Sequence, residues 1–230
     1  MKITMQEVFA KAVHEGNAEV VRAQLVDHRV DPASNDNAAI RRASALGHAE
    51  VVRALLADPR VDPAGINNGA VQWASQRGRA EVVRVLLADP RVDPAAGYNY
   101  AIRCASFGGN EAVVRALLAD PRVDPGDKDN EAIQWASERG RAEVVRALLA
   151  DPRVDPRVAI KNSKKECARI IASDCIEQYY DLFETYHPDI ARDYRARLCQ
   201  CYALAWVATQ ECSWIDAVEP VVKRLKKLLL

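Results

Sequence analysis

Apolar and polar positions follow one another in a pattern that returns along most of the chain. The string LLADPRVDP begins at Leu55 and recurs unchanged at Leu86, Leu117 and Leu148, each start 31 residues after the one before. A unit of this length is too small to bury its own apolar face, so neighbouring units have to stack and cover one another. The sequence therefore predicts a repeat protein whose function lies on an extended surface.

Each unit contains two short amphipathic segments. In the second segment, AEVVRALLA (Ala49 to Ala57), Val51, Val52, Leu55 and Leu56 form an apolar stripe at helical spacing, and the remaining positions are polar or small. The first segment lies between a column of asparagines and a column of glycines. This arrangement predicts an all-α architecture built from pairs of helices.

The two columns set the predicted bounds of the first helix in each unit. An asparagine side chain accepts a hydrogen bond from a free amide of the first helical turn, so we expect the asparagine column to supply N-caps. Glycine ends a helix readily because it adopts left-handed backbone angles. The helices predicted on this basis are AIRRASAL (Ala39 to Leu46), VQWASQR (Val71 to Arg77), AIRCASF (Ala101 to Phe107) and AIQWASER (Ala132 to Arg139), between Asn37, Asn68, Asn99 and Asn130 and Gly47, Gly78, Gly109 and Gly140.

Asp-Pro pairs mark the connectors between units. Nine of the 11 prolines follow an aspartate, as in Asp58-Pro59 and Asp62-Pro63. Proline has no amide hydrogen and holds the preceding residue in extended conformations, so each pair ends a helix and stiffens the chain. The connectors are therefore predicted to be rigid.

These residues resemble the ankyrin repeat. The run AIRRASALGHAEVVRALLAD (Ala39 to Asp58) is similar to the TPLHLAA stretch, GH turn and EVVxLLL second helix of that family, and the similarity covers roughly Val8 to Pro156. The TPLH segment is replaced here, and the connector is about two residues shorter than the family period of ~33, which favours a tight turn over β-hairpin fingers. The resemblance implies an ankyrin-like α-solenoid of helix-turn-helix repeats.

The two ends of the chain depart from the repeat. Gln6 to His14 and GNAEVVRAQLVD (Gly16 to Asp27) are expected to form an N-terminal capping unit, and residues 157–173 a degenerate capping unit. We therefore expect a repeat stack over residues 1–156, with about four full repeats, and a C-terminal helical segment over residues 157–230. Its predicted helices are Cys175 to Tyr186, Pro188 to Gln210 and a last one ending in VVKRLKKLLL (Val221 to Leu230). This basic amphipathic end is expected to dock on the stack, with a membrane-surface or partner-helix role as the alternative.

Overall charge argues against generic binding to polyanions. The 32 basic and 32 acidic residues balance, so no global field favours nucleic acid or an anionic membrane. The N-terminus has no apolar core or cleavage pattern of a signal peptide, and no apolar run reaches the roughly 18 residues that a membrane helix needs. We expect a cytoplasmic, monomeric protein, with a nuclear location not excluded.

Candidate binding residues lie in columns that vary while neighbouring columns stay fixed. In ankyrin-like stacks, the matching positions line a concave groove. The third unit carries Tyr98, Tyr100 and Phe107 there, and aromatic side chains are enriched at binding hot spots. Alternatively, Tyr100 and Phe107 only pack against neighbouring units. The predicted partner-binding set is completed by flanking residues, of which the arginines are expected to pair with acidic groups of a partner: Gln76, Arg77, Arg103, Glu138 and Arg139.

Other conspicuous side chains are expected to be structural. Trp73 and Trp135 align with a packing leucine of the ankyrin family, which places them in the core. His48 falls in the GH turn, where the resemblance implies that it supports the loop by hydrogen bonding. The six cysteines lack Cys-x-x-Cys pairs and histidine partners at zinc-finger spacing, so buried free thiols are expected and no metal.

No nucleophile motif or glycine-rich phosphate loop is present, so we expect neither an enzyme nor a cofactor. The sequence favours a non-catalytic module that binds a partner protein through the concave face of the stack. The alternative is an adaptor whose C-terminal helices recruit a second complex, for example a degradation machinery, while the repeats select the client.

Overall fold

The computed structural model describes residues 4–175 and 180–197, and every regular element in that part of the chain is a helix. The helices are α1 Met5–Glu15, α2 Ala18–Leu25, α3 Ser34–Leu46, α4 Ala49–Leu56, α5 Gly65–Gln76, α6 Ala80–Leu87, α7 Ala96–Gly108, α8 Glu111–Leu118, α9 Asp127–Arg139, α10 Ala142–Leu149, α11 Arg157–Ile160, α12 Lys165–Cys175 and α13 Tyr180–Tyr186. The all-α solenoid that the sequence predicts is confirmed.

The helices form an N-terminal unit and four repeat units that stack in two layers. The first helices (α1, α3, α5, α7, α9) pack side by side in one layer, and the second helices (α2, α4, α6, α8, α10) in the other. The core lies between the layers and continues from unit to unit, because each unit alone leaves its apolar face open. Its largest repeated side chains are at most 1% exposed: Ile40, Val71, Ile102 and Ile133 from the first helices, and Leu55, Leu86, Leu117 and Leu148 from the second.

A left-handed turn of three residues opens each of the four repeat units. In the third unit these residues are Gly97, Tyr98 and Asn99, with φ angles of 66°, 59° and 54°. In the second unit the turn includes Ile66 at φ 50°, an angle that β-branched residues rarely adopt. The right-handed helix follows the asparagine, as predicted, and this tight turn stands where the ankyrin family has its β-hairpin finger.

The asparagine column does not cap the helices, so that prediction is wrong. Its backbone is left-handed, whereas an N-cap residue is extended. Each asparagine Oδ1 instead accepts from the amide of an aspartate in the next connector, over 2.7–2.8 Å, in the pairs Asn37 with Asp62, Asn68 with Asp93, Asn99 with Asp124 and Asn130 with Asp155. The column therefore joins neighbouring units.

The arginine of each DPRVDP connector also joins neighbouring units. Arg60 donates to the carbonyl oxygens of Val30 at 3.0 Å and Leu25 at 2.8 Å, both in the preceding unit, and pairs with Asp58 at 2.6 Å. Leu25 is the last residue of α2, so the guanidinium satisfies a carbonyl that the helix end leaves free. Arg91 and Arg122 make the equivalent three contacts.

Glycines end the first helices where the next unit comes close. Gly16 has φ 77°, and a Cβ atom there would lie 2.6 Å from Nδ1 of His48. Nε2 of His48 is 3.0 Å from the carbonyl oxygen of His14, so the predicted loop-supporting role of His48 is confirmed. Arg79 and Asn110 make the equivalent contacts with carbonyl groups of their preceding units.

The C-terminal helices continue the stack with altered spacing. Helix α11 packs on α9, and α12 packs on α10. We expected a new helix to begin at Cys175, but α12 ends at that residue. The next described helix, α13, spans Tyr180–Tyr186. Pro188 begins a helical segment over residues 188–197, as predicted. Residues 198–230, including the basic VVKRLKKLLL end, lie outside the described residues, and the division at residue 156 stays a prediction.

Candidate functional site

Exposed apolar side chains concentrate on one side of the stack. We call this side the first-helix face: the exposed residues of α3, α5, α7 and α9 together with their left-handed turns. Of the eight large apolar side chains that are exposed in the described residues, five lie there, namely Ile66, Trp73, Tyr98, Tyr100 and Phe107. Large exposed apolar side chains that gather on one side of a protein indicate an interaction site.

The three predicted aromatic residues of the third unit all lie on this face. Tyr98 is 65% exposed at the tip of the turn, Tyr100 is 39% exposed and Phe107 is 40% exposed. Phe107 also meets the ring of Trp135 edge-on, with 5.8 Å between ring centroids. The fourth unit therefore supports Phe107 from one side and leaves the other side open to solvent.

The tryptophans are not core residues, and the prediction that they are is wrong. Trp73 is 43% exposed, and Trp135 is half-buried between Phe107 and Arg103. The sequence contains the signal for this, because the equivalent positions in the first and third units are Arg42 and Cys104. An arginine at this position shows that a large side chain there can reach solvent, as Arg42 and Trp73 do, while the small Cys104 stays buried. Trp73 is therefore a binding candidate that sequence reasoning missed.

Arg103 makes its contacts within the protein, and its expected pairing with a partner stays a prediction. Its side chain is 12% exposed and forms an ion pair with Glu131 at 2.5 Å. Its guanidinium carbon lies 5.4 Å from the ring centroid of Tyr100 and 5.3 Å from that of Trp135, distances typical of cation–π contacts. Arg103 therefore holds two aromatic rings in place.

Arg103 also belongs to a column that braces the left-handed turns. Its Nη1 donates to the carbonyl oxygens of Gly97 and Tyr98, at 3.2 and 3.1 Å. Arg41, Gln72 and Gln134 donate to the equivalent carbonyl groups of their own units. The position of Tyr98 is thus fixed by its own helix.

The remaining predicted residues lie at the C-terminal ends of α5 and α9. Gln76, Arg77, Glu138 and Arg139 are all exposed. The Arg139 guanidinium covers the Phe107 ring, with its central carbon 4.0 Å from the ring centroid. Among the described residues, neither Arg77 nor Arg139 forms an ion pair, so both keep their charge available at the edge of the aromatic group.

Cys104 forms the buried base of this region. Burial raises the pKa of its thiol, and its hydrogen bond with the hydroxyl of Tyr100 raises the pKa of Tyr100. Both groups are therefore neutral at physiological pH. Cys104 and Cys167 are buried free thiols, as predicted, while Cys199, Cys201 and Cys212 lie outside the described residues.

Ser163 and His187 come together in the C-terminal segment, which the sequence did not show. The Ser163 Oγ lies 3.4 Å from Nε2 of His187. That nitrogen also lies 2.6 Å from the carbonyl oxygen of Ile160, to which the Ser163 hydroxyl donates at 2.9 Å. Since a carbonyl oxygen only accepts, Nε2 carries a proton and has no lone pair to activate Ser163 as a nucleophile. Both side chains therefore bind the carbonyl oxygen of Ile160, the last residue of α11.

In the described part of the chain, no group of three or more histidine, cysteine, aspartate or glutamate side chains is placed to hold a metal ion.

Over the same ranges, none of the helices combines the length and apolar character that crossing a bilayer requires.

Comparison with known families agrees with this architecture. Residues 71–158, which span most of the second, third and fourth units, match the family model of ankyrin repeats in three copies. No curated protein matches the chain. Ankyrin repeats generally act as protein–protein interaction modules and are typically non-catalytic. The resemblance to ankyrin repeats is thereby confirmed over residues 71–158, which match the family model.

Proposed function

We propose that this protein is a non-catalytic interaction module that binds a partner protein through the first-helix face of its second to fourth units. The observation that carries the proposal is the concentration of exposed aromatic side chains there. Trp73, Tyr98, Tyr100 and Phe107 are each about 40% exposed or more. Large aromatic side chains offer much contact area for little loss of rotamer entropy, and they dominate the binding energy of many interfaces.

The supports around these rings favour the same function. Arg103 braces Tyr100 and Trp135, Arg139 covers Phe107, and the Lys128 ammonium lies 4.1 Å from the ring centroid of Tyr98. A partner that meets side chains already held in place loses less entropy on binding. Since one chain presents the whole face, we propose the monomer as the functional unit. We also propose the cytoplasm as its location.

The test is affinity capture from lysate of the native source with matched baits. The baits are the wild-type chain, the Tyr98→Ala/Phe107→Ala variant and a Tyr186→Ala control. Tyr186 is 41% exposed, as Phe107 is, but belongs to α13. We expect a partner that the wild type and the control retain and the double variant loses, with a loss of more than about tenfold for two hot-spot residues.

A partner set that is identical for all three baits would contradict the proposal. A fourth bait, ending at Arg197, tests the adaptor alternative, because it lacks residues 198–230. Loss of a partner with that bait alone assigns recruitment to the C-terminal segment.

A further inference from the structure

The second and fourth units share a pair of residues that the third unit lacks. Arg77, the residue that follows the last residue of α5, is four residues after Trp73, and Arg139 is four residues after Trp135 on α9. This spacing puts both members of each pair on one side of their helix. The equivalent positions of α7 are Cys104 and Gly108, which are small.

Helix α7 lies between α5 and α9 and packs against both. The small residues of α7 are therefore flanked on each side by a tryptophan and an arginine. Gly108 is exposed, and the neighbouring Phe107 is 40% exposed. We call this region the slot, with the small residues of the third unit as its floor and the tryptophan–arginine pairs of the second and fourth units as its walls.

The walls of the slot carry charge that the protein does not neutralise. Connector arginines are paired with aspartates throughout the stack, for example Arg91 with Asp89 at 2.6 Å. Arginines on the outer face of the second helices are paired with glutamates, for example Arg115 with Glu111 at 2.8 Å. Arg77 and Arg139 have no acidic partner among the described residues, and Glu138, which precedes Arg139 in the sequence, accepts from Asn162 at 3.4 Å.

We propose that this slot binds an acidic segment of a partner protein, with an apolar side chain on Phe107 and Trp135 and carboxylates on Arg77 and Arg139. This inference rests on the proposed function and names the chemistry of its partner. Guanidinium groups pair with carboxylates in a two-pronged geometry that fixes the orientation of the ligand. The edge-on contact of Phe107 with Trp135 gives the apolar side chain a rigid surface next to those charges.

The experiment selects ligands for the immobilised full chain from a random peptide library displayed on phage. We expect the selected peptides to carry aspartate or glutamate next to tryptophan, phenylalanine or leucine. Their affinity is then measured for the wild type, for Arg77→Glu/Arg139→Glu and for Tyr98→Ala/Phe107→Ala. The charge-reversed variant should weaken binding at least about fivefold, and the effect should shrink at high salt.

The control is Arg115→Glu/Arg146→Glu on the outer face of α8 and α10. It changes the net charge of the chain by the same amount as the slot variant, and its affinity should stay within about twofold of wild type. A control variant as weak as the slot variant would overturn the inference, because a general field would then explain the effect.

The other outcomes separate the inference from the proposed function. Selected peptides without acidic residues, whose binding still depends on Tyr98 and Phe107, would overturn the acidic slot and leave the interaction face standing. Peptides insensitive to both slot and aromatic variants would count against both proposals. A single-stranded oligonucleotide that displaces the peptides and binds more tightly than they do would assign the arginines and aromatic rings to nucleic acid and overturn the acidic protein segment.

Discussion

The connectors and the first-helix face belong to the same units, but connector residues repeat from unit to unit, whereas residues of the face differ. Three connector arginines make equivalent contacts, namely Arg60, Arg91 and Arg122. Each donates to two equivalent carbonyl groups of its preceding unit and pairs with the equivalent aspartate of its own connector. On the first-helix face, one column contains arginine, tryptophan, cysteine and tryptophan in successive units. The chain therefore repeats the groups that hold units together and varies the groups that meet solvent.

This difference separates stability from recognition along the sequence. In a stack whose stability sums over units and their interfaces, each repeated connector bond contributes to the same total. A substitution on the varied face leaves those bonds intact. Substitutions in the connectors are thus expected to change stability, and substitutions on the first-helix face are expected to change binding.

Leu117→Asp should have the largest effect, because it buries a carboxylate in the middle of the stack. Leu117 is fully buried, and a buried unpaired charge together with the lost packing lowers the free energy of unfolding by more than about 3 kcal/mol. The halves on either side should then uncouple. Denaturant titration followed by circular dichroism should show two steps or one broad transition, and a single transition at the wild-type midpoint would contradict the account.

Acid should destabilise all units together. Hydrogen bonds from the connector arginines lower the pKa values of Asp58, Asp89, Asp120 and Asp151. The unfolded chain, with an aspartate pKa of about 3.9, then binds more protons than the folded one, so stability is present above that pH and is lost as pH falls through the lowered pKa values. Urea midpoints should fall progressively as the pH is lowered below about 5. An Asp120→Asn chain should show a shallower fall, and equal slopes would contradict this assignment.

Asn99→Ala should remove bonds between the third and fourth units. Asn99 accepts from the Asp124 amide at 2.8 Å and donates to the Asp127 carboxylate at 2.9 Å, so its loss should lower the free energy of unfolding by about 1–3 kcal/mol. Asn67→Ala is the matched control, because Asn67 has the same φ of 54° but is exposed. Equal effects of both variants on the urea midpoint would show that backbone strain, and not the bonds between units, explains the loss.

Trp73→Ala should change stability little, although tryptophan is the largest side chain. A buried tryptophan truncated to alanine destabilises a protein by about 3–5 kcal/mol, whereas we expect less than about 1 kcal/mol for Trp73 because 43% of it is exposed. Thermal unfolding measures this directly. A loss of unfolding free energy as large as that of a core residue would show that Trp73 packs in the core.

The smallest effect concerns an ion-pair ladder on the outer face. Arg22 pairs with Glu50 and Arg53 pairs with Glu81, each across two units, but the next position is Ala112. The double substitution Glu111→Ala/Ala112→Glu gives Arg84, which already pairs with Glu81, a second partner in the next unit, but it also removes the pair of Glu111 with Arg115. It should therefore stabilise the stack by at most about 1 kcal/mol at low salt. Persistence of the whole gain at high salt would contradict an electrostatic origin.

The repeat made the helices and their order predictable, because amphipathic spacing and the glycine column act within one unit. The roles of Asn99 and Arg122 were not predictable in the same way. Their partners lie in other units, about 25 to 35 residues away along the chain, and no pattern within a unit shows which distant amide or carbonyl a side chain reaches.

The candidate site was predictable in part for the same reason. Variation between units located Tyr98, Tyr100 and Phe107 on an exposed face, and the structure places all three there. The alignment of Trp73 with a packing leucine gave the wrong burial, because the arginine in its column is a stronger signal than the size of tryptophan. The ion pair of Arg103 was not predictable, because its acid, Glu131, belongs to the following unit.

The most direct test measures binding and stability together for one substitution of each region. Tyr98→Ala/Phe107→Ala and the connector variant Arg122→Ala, which loses the bonds of Arg122 to Val92, Leu87 and Asp120, are compared with wild type by calorimetric titration of the captured partner and by urea unfolding. The account predicts that the aromatic variant loses binding with an unfolding midpoint close to wild type, and that Arg122→Ala keeps its affinity with a lowered midpoint. An aromatic variant that unfolds as early as Arg122→Ala, with its affinity intact, would show that these rings pack the stack and do not recognise a partner.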